Sequence, residues 1–99
     1  MSDEFKIFLK NIGKNAGDKK LSKETGKVLF YLMSFIDFEN PSIVGQAEIS
    51  KNLDIPLSSV NNAFNQLIEA NILTKMTVKG RMGNHDTYKF NDELWTEPI

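Results

Sequence analysis

The spacing of apolar residues along this chain changes once, near residue 71, and this change limits the possible folds. Before it, apolar residues recur three and four positions apart, whereas "MTVK" (76–79) and "TYKF" (87–90) alternate. The first spacing is typical of helices and the second of strands. The segment "GRMGNHD" (80–86) contains Gly, Asn and Asp and predicts a hairpin loop. The sequence therefore predicts an α+β domain in which helices precede a β-hairpin.

The first two helices are predicted from apolar stripes and from the residues that flank them. The first helix spans about 3–12, and Gly13 stands where a glycine commonly ends a helix, before a polar loop over 13–20. The second spans about 25–38, with Ser22 as its N-cap. It is apolar over most of its girth, Phe30 included, so we expect it to lie centrally.

The third and fourth helices are short and are separated by the turn sequence "DIP" (54–56). The third spans 46–53, after Gly45, and the fourth about 57–70, before Asn71. The expected inward positions are Ala47, Ile49 and Leu53 in the third helix, and Val60, Ala63, Phe64, Leu67 and Ile68 in the fourth. Two short helices joined by a tight turn and followed by a hairpin are the order of a winged helix-turn-helix.

The totals restrict the class of protein. With 99 residues, 40% of them hydrophobic, the chain predicts one domain over 1–99 with a small core. We divide it into an N-terminal helix and loop (1–20), a winged-helix core (25–91) and a C-terminal tail (92–99). The absence of Cys excludes disulfides and Cys-ligated zinc. No signal peptide and no membrane span is expected, so the predicted location is cytoplasmic.

The net charge of −1 is unevenly distributed along the chain. Residues 1–23 contain six Lys and three acidic residues, residues 24–70 are acidic on balance, and residues 71–90 contain four basic residues and one Asp. Two basic segments are compatible with a polyanion-binding face and equally with ordinary surface charge.

The segment "GQAEISKNLDIPLSSVNNAFNQLIEANILTK" (45–75) resembles the helix-turn-helix of bacterial winged-helix proteins. Seven residues match that pattern as they stand: Gln46, Glu48, Ile49, Leu53, Val60, Leu67 and Ile72. Gly45, Asp54 and Asn71 are physically sensible replacements for the usual Thr, Gly and Gly. Pro56 replaces the usual capping Ser, which leaves the start of the fourth helix open.

Two flanking segments, "GKVLFYLMSFIDFEN" (26–40) and "TYKFNDELW" (87–95), are similar to RepL-like winged-helix proteins of bacterial plasmids. Centromere-binding proteins of the TubR type, which act in plasmid partition, are a second similar group. The resemblance implies a dimeric protein that binds repeats in double-stranded DNA, in plasmid partition or replication or as a transcriptional repressor. It also implies a possible protein partner from a partition or replication complex.

The fourth helix contains "LSSVNNAFNQL" (57–67), which is unusually rich in amides and hydroxyls. In a winged helix this segment would enter the major groove, where an Asn amide matches the edge of adenine and a serine can contact phosphate. We therefore predict DNA contacts, at a site rich in A·T pairs, from Gln46, Ser58, Ser59, Asn61, Asn62 and Asn65 and, on the wing (75–89), from Lys75, Lys79, Arg81 and Lys89. Arg81 either enters the minor groove or is simply exposed. The alternative for the helix residues is that they are only solvated polar positions.

Four apolar residues of the first helix form one stripe: Phe5, Phe8, Leu9 and Ile12. The stripe either covers the core of its own chain or pairs with a second copy, and we favour a homodimer. The rival function is a winged helix that binds protein instead of DNA, which the single Arg and the acidic central segment favour.

An enzyme is not expected. His85 beside Asp86 has no second His or Cys with which to complete a metal or catalytic site. We predict no cofactor and no metal, and we expect Trp95 to be a packing residue.

Overall fold

The computed structural model describes residues 3–18, 21–34, 45–80 and 83–96. Four helices precede a two-stranded antiparallel hairpin, which confirms the predicted α+β winged-helix layout. In chain order the elements are α1 (Asp3–Asp18), α2 (Lys23–Met33), α3 (Gln46–Leu53), α4 (Leu57–Glu69), β1 (Leu73–Gly80), β2 (Gly83–Phe90) and a 3-10 helix (Asp92–Trp95).

The core lies around α4, which packs against α2, α3 and β1. The largest buried side chain of α4 is Phe64, which shares the core with Leu32 of α2 and Ile49 of α3. Each such side chain contributes about 1.5–3 kcal/mol when it is removed from water. Val60, Ala63 and Leu67 are buried as expected, and Ile68 is half-buried. One side of α4 is therefore fixed, and its opposite side faces solvent.

Helix α1 is longer than predicted, because it continues through Gly13 to Asp18. Gly13 does not take the left-handed conformation that ends a helix; among the described glycines only Gly83 has a positive φ. The half-buried Ala16 packs on the core and extends the apolar side of α1 by one turn. The predicted loop over 13–20 is therefore wrong as far as Asp18.

Helix α2 begins as its capping residue predicts. The Ser22 Oγ accepts a hydrogen bond from the Thr25 backbone N–H at 3.2 Å, so the helix starts at Lys23 instead of Thr25. Residues 35–38 of the predicted helix lie outside the described residues. Phe30 was expected to broaden the apolar side of α2, but it is 75% exposed.

The hairpin has a much shorter loop than its composition predicts. β1 and β2 pair from Leu73 opposite Phe90 to Gly80 opposite Gly83, which leaves two residues between the strands. The predicted loop over 80–86 is therefore wrong, because residues 83–86 belong to β2. Gly83, the first residue of β2, has φ 105°, a conformation open to glycine.

The two ends of the described chain close the core together. Phe8 of α1 stacks on Trp95 with ring centroids 4.2 Å apart, which confirms Trp95 as a packing residue. The Asn11 Nδ2 donates to the Leu94 and Thr96 carbonyls at 2.8 and 2.9 Å. Within the segment 92–99 that was predicted as a C-terminal tail, Leu94 is buried and Trp95 is half-buried against the core. Within the described part of the chain, no helix is long and apolar enough to cross a membrane.

The apolar stripe of α1 covers its own core. Phe8 is 0% and Ile12 is 6% exposed within a single chain, so neither has a surface left for a second copy in this packing. Phe5 and Leu9 are half-buried against the same core. Of the two interpretations of the stripe, the structure supports the intramolecular one for Phe8 and Ile12, and dimerisation stays a prediction that needs another surface.

Candidate nucleic-acid interface

The turn between α3 and α4 is held by local hydrogen bonds. Asp54 takes the left-handed conformation, with φ 54° and ψ 48°, which Asp tolerates better than most residues. The Ile55 N–H donates to the Ser50 carbonyl at 3.2 Å, and the Ser50 Oγ donates to the Ile55 carbonyl at 2.6 Å. These bonds fix the direction in which α4 leaves the turn.

Helix α3 packs through fewer residues than predicted. Ile49 is 0% exposed and Leu53 is half-buried against the core, but Ala47 is exposed. The expectation that Ala47 lies where α3 approaches its neighbours is therefore wrong. Ala47 lies two positions before Ile49, and residues two apart do not share a helix face.

From Ser58 to Asn65 the exposed face of α4 is polar and uncharged. Ser58, Asn61, Asn62 and Asn65 are all exposed, opposite the buried side of the helix, whereas Ser59 is half-buried at its flank. No charged residue occurs between Leu57 and Ile68, and the first charge on the helix is Glu69. We call Ser58, Asn61, Asn62 and Asn65 the asparagine face.

The other amide side chains of α3 and α4 form hydrogen bonds within the chain. The Gln66 Oε1 accepts from the Ser22 N–H at 3.1 Å and from the Thr25 hydroxyl at 2.8 Å, which ties α4 to the start of α2. The Asn52 Nδ2 donates to the Tyr31 hydroxyl at 2.6 Å, which ties α3 to α2. Both contacts hold α3 and α4 against the second helix.

The three amides of the asparagine face have no such role. Within the part of the chain that the structure describes, no intramolecular hydrogen bond involves the side chains of Asn61, Asn62 and Asn65. Their donors and acceptors point to solvent from a rigid helix and are available to an external partner.

Gln46 links α3 to the wing. It is half-buried, and its Nε2 donates to the Tyr88 hydroxyl at 3.2 Å. The Tyr88 ring in turn packs edge-on against Phe64, with ring centroids 4.7 Å apart. Gln46 therefore helps to hold the hairpin against α4, and its contact with DNA stays a prediction.

The hairpin divides the wing lysines between its two faces. Lys75 lies opposite Tyr88 in the strand register and Lys79 lies opposite Asn84, so both belong to the face that carries Leu73 and packs on α4. Lys89 lies opposite Thr74, on the other face, and its Nζ is 3.0 Å from the Asp92 carboxylate. Lys75 and Lys79 therefore lie on one face of the hairpin and Lys89 lies on the other, and their contacts with DNA stay predictions. Arg81 lies outside the described residues.

The start of α4 is suited to an anion. Pro56 occupies the N-cap position and supplies no side-chain hydrogen bond, so no side chain caps the first N–H groups of the helix. Such N–H groups and the helix dipole favour a negatively charged oxygen. The hydroxyl of Ser58 lies in the same turn. This end of α4 therefore presents hydrogen-bond donors that suit a negatively charged oxygen.

Sequence reasoning missed three residues that shape this interface. Gln66 and Tyr88 were not assigned contacts, because their partners are far away in the chain. The partners of Gln66 are 41 and 44 positions away, and the partner of Tyr88 is 42 positions away. Leu57 was placed in α4 without a role, and it is 52% exposed. The one sequence feature that could have pointed to Leu57 was its place at the start of an amide-rich helix. No cluster of three metal-ligating side chains occurs among the described residues.

In comparisons with known proteins, no family model, no curated protein and no solved structure matched this chain.

Proposed function

We propose that this protein binds double-stranded DNA as a winged helix-turn-helix, with α4 in the major groove and the wing on the backbone. The observation that carries this proposal is the asparagine face. Three exposed amides on one helix form no side-chain hydrogen bond within the described part of the chain, whereas Gln46, Asn52 and Gln66 do. We propose no enzymatic activity and no cofactor.

The amides suit base recognition because Asn presents a donor and an acceptor together. Adenine offers the matching pair, N6–H₂ and N7, in the major groove, and a well-made bidentate pair gives about 1–3 kcal/mol of discrimination between bases. The buried side of α4 and the hydrogen-bonded turn before it hold the asparagines in place before DNA arrives. The proposed site is therefore rich in A·T pairs.

The cations for backbone contact lie on the wing and not on α4. Lys75 and Lys79 share the hairpin face that packs on α4, and both are exposed. Lysine contacts to phosphate release counterions and carry no sequence information, so they weaken as salt rises. In this arrangement α4 recognises the base sequence, and the lysines of β1 attract the phosphate backbone.

The biological process we propose follows from the plasmid-type resemblance of the sequence. It is binding to DNA repeats in plasmid partition or replication, or repression of transcription. A homodimer would contact two half-sites whose spacing its geometry sets. Because Phe8 and Ile12 are buried within one chain, we propose that the dimer surface lies elsewhere.

The test is selection from a pool of randomised duplexes, followed by fluorescence anisotropy on the enriched duplex at two salt concentrations. The triple variant Asn61→Ala, Asn62→Ala, Asn65→Ala should lose the preference for the enriched duplex and keep weak, salt-sensitive binding. Asn15→Ala on α1 is the matched amide control and should bind as wild type does. If the triple variant keeps the full preference, α4 does not recognise the sequence.

A protein partner is the second candidate function. The helix-turn-helix unit exposes Glu48, Asp54 and Glu69 against the single cation Lys51, and α4 has no basic residue. This charge distribution favours a basic or neutral protein surface over a polyanion. If the selection enriches no duplex, and the protein binds none at low salt, DNA binding fails and the asparagine face should be tested against protein partners.

A further inference from the structure

Leu57 exposes more of its surface than its chemistry favours. Among the described residues of α3, α4 and the turn between them, it is the one large apolar side chain with more than half of its surface exposed, at 52%. The first turn of a helix favours acidic or small polar residues, because they complement the N–H groups there. A leucine at that position leaves apolar surface in water without contributing to the core.

Its position in α4 places Leu57 beside the asparagine face. It is the first residue of the helix, directly after Pro56, and Asn61 lies one turn later. Residues four apart are neighbours on a helix surface, and side chains lean toward the N-terminus. Leu57 therefore extends the leading end of α4, with Ser58 and Asn61 next to it.

The major groove offers one apolar group to such a side chain. Recognition helices contact base edges with their N-terminal residues, and the only methyl group among the four bases is the C5 methyl of thymine. An apolar side chain one turn from an amide matches neighbouring A·T pairs, since the amide suits adenine and the apolar group suits thymine.

We propose that Leu57 is a specificity-determining residue that packs against the C5 methyl of a thymine, beside the base contacted by Asn61. This inference rests on the proposed DNA-binding function and deepens it by naming the chemical group that is recognised. The site would then be selected by a methyl group as well as by adenine edges.

The test replaces each thymine of the enriched duplex with deoxyuridine, one position at a time, and thereby removes only the methyl group. Removing one methyl group from an apolar contact should weaken wild-type binding about fourfold at one position. Leu57→Ala should bind the thymine and uracil duplexes equally at that position, because the two changes delete the same contact. Leu57→Met retains an apolar side chain and should retain the difference.

Met76→Ala is the matched control, because Met76 is an exposed apolar residue on the hairpin, and this variant should keep the wild-type uracil effect. The inference is overturned if no uracil weakens wild-type binding, or if Leu57→Ala shows the same loss as wild type. It is overturned together with the proposed function if no duplex is enriched. Loss of preference in the triple asparagine variant with no uracil effect overturns the role of Leu57 alone.

Discussion

Asn65 and Gln66 are adjacent amides on α4, and the fold uses only one of them. The Gln66 oxygen accepts two hydrogen bonds from the start of α2, one of them from the hydroxyl of the fully buried Thr25. Asn65 lies one residue earlier, on the exposed face. Their chemistry is almost the same, so the packing of α2 on α4 decides which amide belongs to the core and which to the surface.

Replacing Gln66 should therefore destabilise the protein, whereas replacing Asn65 should not. We expect Gln66→Leu to lower the free energy of unfolding by about 1–3 kcal/mol, because it removes the acceptor of two hydrogen bonds, one from the hydroxyl of the buried Thr25 and one from the backbone N–H of Ser22. Asn65→Leu is the matched control, with a change within about 0.5 kcal/mol. Urea unfolding of both variants measures the difference.

Gln66→Glu gives a second comparison, because a carboxylate can still accept both hydrogen bonds. It should recover most of the stability that Gln66→Leu loses. Equal losses in Gln66→Leu and Asn65→Leu would show that the two hydrogen bonds do not hold α4 in place. The sequence could not assign these roles, since the partners of Gln66 are more than forty positions away along the chain.

The hairpin separates its lysines by register, and salt dependence can measure that separation. Lys79 lies on the face that packs on α4, and Lys89 lies on the other face beside Asp92. We expect Lys79→Gln to reduce the dependence of log K on log salt by about one and to weaken binding to all duplexes alike. Lys89→Gln is the control within the same hairpin and should leave that slope unchanged.

Anisotropy on one duplex at several salt concentrations gives both slopes. A loss of slope in Lys89→Gln equal to that in Lys79→Gln would contradict the division of the hairpin into two faces. An unchanged slope in both variants would mean that the wing does not contact the DNA backbone.

The ends of helices and strands followed from the sequence where a local contact sets them. Ser22 caps α2, Asp54 takes a left-handed conformation after α3, and Asn71 has φ 60° after α4, as their chemistry indicates. The end of α1 and the length of the hairpin did not follow. Gly13 remains helical because Ala16 beyond it packs on the core, and residues 83–86 pair with β1 despite a turn-like composition.

The candidate site was predictable in composition but not in arrangement. The helical spacing of Val60, Phe64 and Leu67 fixed which side of α4 is buried, and so which residues are exposed. The internal contact of Gln46 with Tyr88 depends on how the hairpin meets α3, which periodicity cannot show. Whether Leu57 is exposed likewise depends on how the other elements pack around the start of α4.

In the whole molecule, the first and last described segments complete a core that the helix-turn-helix alone would leave open. Phe8 stacks on Trp95 and meets Phe90 edge-on at 5.2 Å, while Asn11 holds the backbone of residues 94 and 96. The side of α4 that faces this core is buried, and the asparagine face lies on the other side. Stability and the proposed recognition of DNA therefore use opposite sides of α4, and a surface change at the asparagines should leave the fold intact.

The role of α1 in closing this core predicts how the stability of the protein changes when the Phe8 side chain is shortened. We expect Phe8→Ala to lower the free energy of unfolding by about 3–5 kcal/mol, the usual cost of removing a buried phenylalanine side chain. Phe30→Ala is the matched control, because Phe30 is also on a helix but is 75% exposed, and its loss should be far smaller.

Urea unfolding at several protein concentrations distinguishes the two roles of the α1 stripe. If Phe8 belongs to its own core, the loss is the same at every concentration. If it instead joins two copies, the loss must depend on protein concentration, since association stabilises by mass action, and the intramolecular packing of α1 would then be wrong.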